Sequence, residues 1–363
     1  MRTGATHLSG IGRVTLELMQ EMDLLNPHQI DIRFLIQTFR GEAPKKFTNI
    51  KVNNLRWPIG PKFDWLRQAF PLLEVFSPHD LLHVPHNFSE VHRPERTVAT
   101  IHDAIYFSHP EEALGHAEAR LRFPRFAKAI RAIATPSLSA KEDIVHYLGV
   151  QPEKITVIPW GVNRSVFNAE IKLNAKERVV DTMVTNRPYF LAVSCSRGRK
   201  NTISVLKSFK VAMRQGFEHS LVLVWGNPPQ DYLDMFASEI KDQRIIFLHH
   251  VSDSVLADLY AGATASFFPS RYEGFGLPIL ESLACGTPVV TCRNSSLEEV
   301  GGDAAIYVGP DDLDGMTDLM RIFDSGSISG LNNEVDYLAQ AEKFSWQSTA
   351  RQYLDFYKRQ AIN

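Results

Sequence analysis

Arg271-Tyr272-Glu273-Gly274-Phe275-Gly276-Leu277-Pro278-Ile279-Leu280-Glu281 follows the apolar run Ala265–Pro269. The run reads as a buried strand, the glycines as a turn, and Pro278 as the first turn of a helix, where a missing N–H costs nothing. Open parallel sheets bind ligands just beyond the carboxyl ends of their strands. The turn sets Glu273 on that rim and Glu281 about one turn inside the helix. Two carboxylates so placed can face one polyhydroxylated ligand, while amide N–H groups at the helix start hold an anion. The spacing of the glutamates carries little by itself. The Gly-Phe-Gly-Leu-Pro between them makes the pattern suit a nucleotide-linked sugar.

Working outward, short β-branched runs alternate with amphipathic stretches along the whole chain. Strands are expected at Ile30–Ile36, Leu81–Val84, Thr97–Ile101, Ala132–Thr135 and Ile155–Pro159. A second set is expected at Tyr189–Ser194, Leu221–Trp225, Ile245–Leu248, Ala265–Pro269 and Pro288–Thr291. Strands separated by helices argue for two parallel α/β sheets with right-handed crossovers. The expected domains are 1–163 and 188–345, joined by a polar linker at 164–187. A C-terminal helix, 346–363, carries clustered Tyr353, Phe356 and Tyr357 and is expected to cross back onto the first domain. Only nine residues precede Gly10, so the first strand of that domain reads as truncated.

The totals fit a soluble globular protein: 363 residues, 44% hydrophobic and 22% charged. Three cysteines, Cys195, Cys285 and Cys292, form no even framework and set the expectation of a reducing cytoplasm. No apolar run is long enough to span a membrane, and Met1–His7 lacks a signal-peptide core. The net charge of −2 is unevenly spread, with 24 Lys+Arg against 20 Asp+Glu in residues 1–187 and 15 against 21 beyond. That bias suits an anionic partner such as a membrane surface or a lipid phosphate, reads equally well as ordinary variation between domains, and is too small for nucleic acid. Arg120, Arg122, Arg125, Lys128 and Arg131, interleaved with Leu121, Phe123, Phe126 and Ile130, point to the same surface, although an ordinary solvated helix face reads equally well.

Three further stretches carry chemistry. Ser9-Gly10-Ile-Gly12-Arg13 precedes an amphipathic helix, where a plain tight turn is one reading and the other has Gly12 letting a ligand approach the backbone, with Arg13 beside it. His102-Asp103 follows Val98–Ile101 at a strand's carboxyl end, where His102 would donate to a sugar hydroxyl and Asp103 would orient the loop or the ring. Ser194-Cys-Ser-Arg197-Gly-Arg199-Lys200-Asn201 follows the first strand of the second half. There Arg199 offers a fork and Lys200 a point charge to a diphosphate.

Together these stretches resemble the group 1 (family-four) retaining glycosyltransferases. Phe268-Pro-Ser-Arg-Tyr-Glu-Gly-Phe-Gly-Leu-Pro, Cys285-Gly-Thr-Pro-Val-Val and Ser295-Ser-Leu-Glu-Glu-Val carry most of the likeness. Gly-Ile-Gly-Arg, Ile101-His-Asp, Ile158-Pro-Trp-Gly-Val and Arg199-Lys-Asn supply further landmarks in the family's order. The resemblance implies the α/β GT-B architecture, two Rossmann-like domains facing across a cleft. It implies that Glu281 holds the ribose, that Arg199 and Lys200 meet the diphosphate, and that Gly274, Phe275, Gly276 and Leu277 present backbone amides. Gly12 joins them on the donor, Glu273 sits beside the transferred sugar, and His102 reaches that sugar. No metal or other cofactor is implied beyond the sugar nucleotide.

The style of the motifs is similar to that of mannosyltransferases using GDP-mannose in bacterial surface-polysaccharide assembly. A glycan or lipid-linked glycan is then the acceptor, and the cytoplasm, with peripheral contact to the inner face of the membrane, is the expected location. UDP-sugar transfer, a sugar-nucleotide 2-epimerase and a non-catalytic sugar-nucleotide-binding protein are the other readings. Three departures from the family stand out, the truncated first strand being one. Ser194 occupies the place of a diphosphate-binding Arg, leaving Arg197 or Arg199 to substitute, and Trp160 replaces the Asn common before Gly-Val.

Overall fold

The computed structural model describes residues 10–25, 30–37, 47–55, 77–110, 117–183, 185–194, 198–249, 251–326 and 333–361. The chain divides into two compact units. One comprises residues 1–161 with 345–363, and the other residues 162–344.

The first unit holds a parallel sheet of β3 (Leu82–Val84), β4 (Thr97–Thr100), β5 (Ala132–Thr135) and β6 (Ile155–Val157), in that spatial order. A separate parallel pair joins β1 (Arg33–Gln37) to β2 (Lys51–Leu55). β4 and β5 are buried along their whole length, as expected of parallel strands covered on both faces. Ala99, Ile101, Phe123, Ile130, Ile133 and Ile144 form the centre of one core. The helix Leu138–Leu148 starts on Ser137, whose hydroxyl accepts from Ala140 N, and stops at Gly149 in the left-handed region, φ 63°.

The helix Trp346–Ala361 completes this unit and packs against the helix Gly10–Leu25. Its Tyr353 hydroxyl meets Thr100 Oγ1 at 2.7 Å, and its Tyr357 hydroxyl meets His83 Nδ1 at 2.6 Å. Gly161 is required here, because a Cβ at this position would lie 2.0 Å from Trp346 N.

The second unit has one parallel sheet in the order β12-β11-β10-β7-β8-β9: β7 (Tyr189–Ser194), β8 (Ser220–Trp225), β9 (Ile245–Leu248), β10 (Ala265–Phe268), β11 (Val289–Thr291) and β12 (Ile306–Tyr307). The strand order reverses between β7 and β10, so the crevice outside their carboxyl ends is where such a sheet binds ligands. Phe190, Leu206, Phe209, Leu223, Phe267 and Met320 are buried in its core. Each contributes roughly 1.5–3 kcal/mol relative to exposure.

Three expectations need correction. The stretch 164–187, read as a linker, lies in the second unit and forms the helix Lys172–Met183, which packs against the helix Asp253–Gly262. The helix looks polar because it buries little, Ala175 and Val179 among the residues described, while Arg178 grips Asp258 Oδ1 at 2.6 Å. β2 and β12 were not expected at all. The Gly10-Ile-Gly12 turn is instead the opening of the helix Gly10–Leu25 itself. Residues 1–9, which bear on the expected truncated strand, lie outside the described residues.

Candidate functional site

In the second unit, β7 delivers Arg199 and Lys200 to the strand reversal and β10 delivers Glu273. Glu273 is buried, and both carboxylate oxygens are engaged. Oε2 takes Arg199 Nη1 at 2.6 Å, while Oε1 takes Lys200 Nζ at 2.8 Å and the Ser270 hydroxyl at 2.7 Å. Burial pushes the Glu273 carboxyl up, but Lys200 and Arg199 outweigh it and hold the group below the ordinary range. Two cations against one carboxylate leave the rim net positive, which suits a diphosphate. Lys200 also lies over the Phe268 ring, 4.4 Å from its centroid.

Supporting residues lock these loops. Asn201 adopts the left-handed region, φ 52°, at the start of the helix Thr202–Met213. Its side-chain amide donates to Pro310 O at 2.6 Å and to Pro269 O at 3.2 Å. Ser296 Oγ lies 2.8 Å from Glu273 O and 2.7 Å from Phe275 O, its single proton shared between the two carbonyls, and Glu273 N donates to Ser295 Oγ at 3.1 Å. Arg271 pairs with the exposed Asp311, Nη1 to Oδ2 at 2.9 Å. Sequence reasoning gave no role to Ser270, Ser295, Ser296 or Asn201. The Ser-Ser pair after an apolar run was the available signal.

The helix Leu277–Ala284 begins on Gly276, with φ 119° and ψ 47°. A side chain there would be strained and would press within 3.2 Å of Leu297 Cδ2. No side chain caps this helix start, and Pro278 needs no acceptor. Glu281 is buried within the helix, and Phe275 is buried against Phe344. Gly274 is buried and Leu277 partly buried, so the structure gathers Arg199, Lys200, Glu273–Leu277 and Glu281 in one unit along adjacent elements. Ser194 accepts from Thr202 Oγ1 at 2.6 Å. Arg197, offered as its substitute, lies outside the described residues.

The first unit holds the other expected residues. His102 is buried just past β4, and Nε2 lies 3.1 Å from Pro85 O. A carbonyl only accepts, so Nε2 carries the proton. Burial lowers the ring's pKa to about 4, only partly countered by that hydrogen bond. His102 is therefore neutral near pH 7 and its Nδ1 is an acceptor. This corrects the expectation that it donates to a sugar. Nδ1 is closed to solvent and has no hydrogen-bond partner among the described residues, a condition that costs about 1–3 kcal/mol. Asp103 Oδ1 accepts from Asn87 Nδ2 at 3.2 Å and from Ile105 N at 3.3 Å, which suits the loop-orienting role. Gly12 is buried in the first turn of its helix, with Arg13 partly buried beside it.

Comparison with known proteins agrees with this geometry. A family profile described as "Glycosyltransferase Family 4" matches residues 8–166, and one described as "Glycosyl transferases group 1" matches residues 187–322. The chain is 26% identical to O-antigen chain mannosyltransferase B of Escherichia coli, across 97% of this chain and 96% of that protein. It is 34% identical to O-antigen chain mannosyltransferase RfbU of Salmonella typhimurium, over 59% of this chain and about half, 56%, of that protein. Sucrose-phosphate synthase from Thermosynechococcus elongatus shares the fold, with a TM-score of 0.76 at 18% identity, over 97% of this chain and 93% of that one. With both halves matched in order and the charged rim at the strand reversal, the chain belongs to the group 1, family-four glycosyltransferases of GT-B fold, and is a hexosyltransferase.

Proposed function

We propose that this enzyme transfers mannose from GDP-mannose, with retention of configuration, to a hydroxyl of a glycan or lipid-linked glycan in surface-polysaccharide assembly. The mannosyltransferase names of the two curated relatives support the sugar and the process. One observation carries the chemistry: Arg199 and Lys200 converge on Glu273 at the carboxyl ends of β7 and β10.

In this reading the bond between the anomeric carbon and the diphosphate oxygen breaks as the acceptor hydroxyl bonds to that carbon. The acceptor's proton passes to the departing phosphate oxygen. Arg199, Lys200 and amides at the start of the helix Leu277–Ala284 stabilise the charge developing on the diphosphate. Glu273 stays ionised, with its oxygens held by Arg199, Lys200 and Ser270, which supports same-face attack over a covalent intermediate on this carboxylate. Glu281 binds the ribose, and His102 is read as a contact to the transferred sugar. No metal takes part.

The location read for the enzyme is cytoplasmic. Arg120, Arg125, Lys128 and Leu121 are exposed on the helix Ala117–Ala129, which supports contact with an anionic membrane surface. Among the described residues no helix is long and apolar enough to cross a membrane. A thermal-shift panel of GDP, UDP and ADP sugars tests the donor. The largest stabilisation is expected from GDP-mannose, and a preference for a UDP-hexose replaces it with the UDP-sugar reading. Product analysis with a lipid-linked acceptor, reading the anomeric configuration by NMR, then tests transfer and retention.

A further inference from the structure

His102 is held from three sides by residues of its own unit. Its backbone N–H donates to Asn87 Oδ1 at 2.8 Å, and Asn87 Nδ2 reaches on to Asp103 Oδ1 at 3.2 Å. Nε2–H donates to Pro85 O, at an N···O distance of 3.1 Å. The third side is Trp160, buried, with its ring centroid 5.3 Å from that of His102 at an interplanar angle of 63°. An edge-to-face aromatic contact of this kind fixes ring orientation and brings no charge. Trp160 is itself anchored on both flanks by the C-terminal helix. Pro159 O accepts from Thr349 Oγ1 at 2.7 Å, and Gly161 lies against the Trp346 backbone.

We propose that Asn87 and Trp160 are positioning residues that hold His102 in a single tautomer and orientation, with Nε2–H turned to Pro85 and Nδ1 kept bare. A free imidazole exchanges its proton between two nitrogens and turns about its side-chain torsions. Here Asn87 fixes the backbone under the ring, and Trp160 blocks the swing that would break the Pro85 bond. The kinetic consequence rests on the proposed reading of His102 as a contact to the donor sugar. The tautomer does not.

The test uses the full chain with 15N-labelled histidine, the His102 signals being assigned by their loss in His102→Ala. Protonated and unprotonated ring nitrogens resonate far apart, so wild type should show Nε2 protonated and Nδ1 bare. Asn87→Ala and Trp160→Ala should each move both signals toward averaged values. With GDP-mannose as donor, each should lower kcat roughly tenfold with little change in KM, as expected for a misplaced group. Trp160→Phe, which keeps an aromatic edge, should recover most of the loss seen in Trp160→Ala. A wild-type tautomer in both Asn87→Ala and Trp160→Ala overturns the proposal, and Asn87→Ala decides it if Trp160→Ala does not fold. Wild-type turnover by His102→Ala sinks the reading of His102 as a sugar contact, while the nitrogen signals of the other variants still decide whether Asn87 and Trp160 position it.

Discussion

At the carboxyl ends of β7 and β10 the second unit collects ions, Arg199 and Lys200 around Glu273. In the first unit His102, just past the carboxyl end of β4, is buried with its pKa lowered to about 4, and His83, within β3 and partly buried, has its pKa lowered to about 3. The group around Glu273 stays charged at neutral pH, while the two imidazoles of the first unit stay neutral. The same kind of strand end thus serves two tasks, and the buried neighbours decide which. Cations beside a carboxylate keep it ionised and attract an anion. Imidazoles buried among aromatics lose their charge and are left to exchange hydrogen bonds with neutral hydroxyls.

The sharpest way to break this contrast is Glu273→Gln. Turnover is expected to fall about 10²–10³-fold, with GDP-mannose affinity nearly kept, because the two cations remain to meet the diphosphate. Folding should also suffer by about 3 kcal/mol, since Arg199 and Lys200 lose their buried counter-ion. Steady-state rates, calorimetric affinity and urea unfolding measure the three effects. Turnover like that of wild type would remove Glu273 from the chemistry.

Glu281→Ala comes next. Loss of two hydroxyl contacts to a buried carboxylate should weaken GDP binding by about 2 kcal/mol, roughly thirtyfold. An unchanged calorimetric affinity would refute the ribose assignment.

Acid separates the two rims without mutation. His102 has a folded pKa below its unfolded value, so its unfolded form binds the extra proton. Its contribution is complete above pH 6.5 and drains away as pH falls toward 4, at most about 3 kcal/mol. Glu273 has linkage of the same sign in a lower window: its contribution stands above about pH 4.5 and is lost as pH falls through its lowered folded pKa. Urea midpoints should therefore fall between pH 6.5 and 4.5 through the histidines, with His219 of the second unit shifted in the same direction. A flat midpoint across that window would contradict the neutral assignment of His102. The smallest effect is expected from Arg271→Ala, whose Asp311 partner is exposed, with little change in melting temperature.

The runs Val98-Ala-Thr-Ile101 and Tyr189–Ser194 announce buried parallel strands by being apolar throughout, so most of both sheets was legible. β2, Lys51-Val-Asn-Asn-Leu55, hides behind its asparagines, and β12 is two residues long, too short to show a period. The site residues were legible as types at strand ends, because Gly276 and Pro278 mark a turn into a helix. Their pairing was not. Arg199 and Glu273 are 74 residues apart, and only the β7–β10 adjacency joins them. The tautomer of His102 depends on a carbonyl 17 residues away, and no side-chain pattern encodes that.

The helix Trp346–Ala361 belongs to the first unit, and its Tyr353 bonds to Thr100 across 253 residues of chain. During synthesis β3–β6 leave the ribosome long before that helix exists. The interval is on the order of tens of seconds at ordinary translation rates. The second unit is continuous in sequence and can close in the meantime. The order of manufacture and the order of completion are therefore reversed: the half begun first is finished last. Its half-covered sheet, with His83 and Thr100 awaiting their tyrosines, is the surface that a chaperone would need to shelter in the interval.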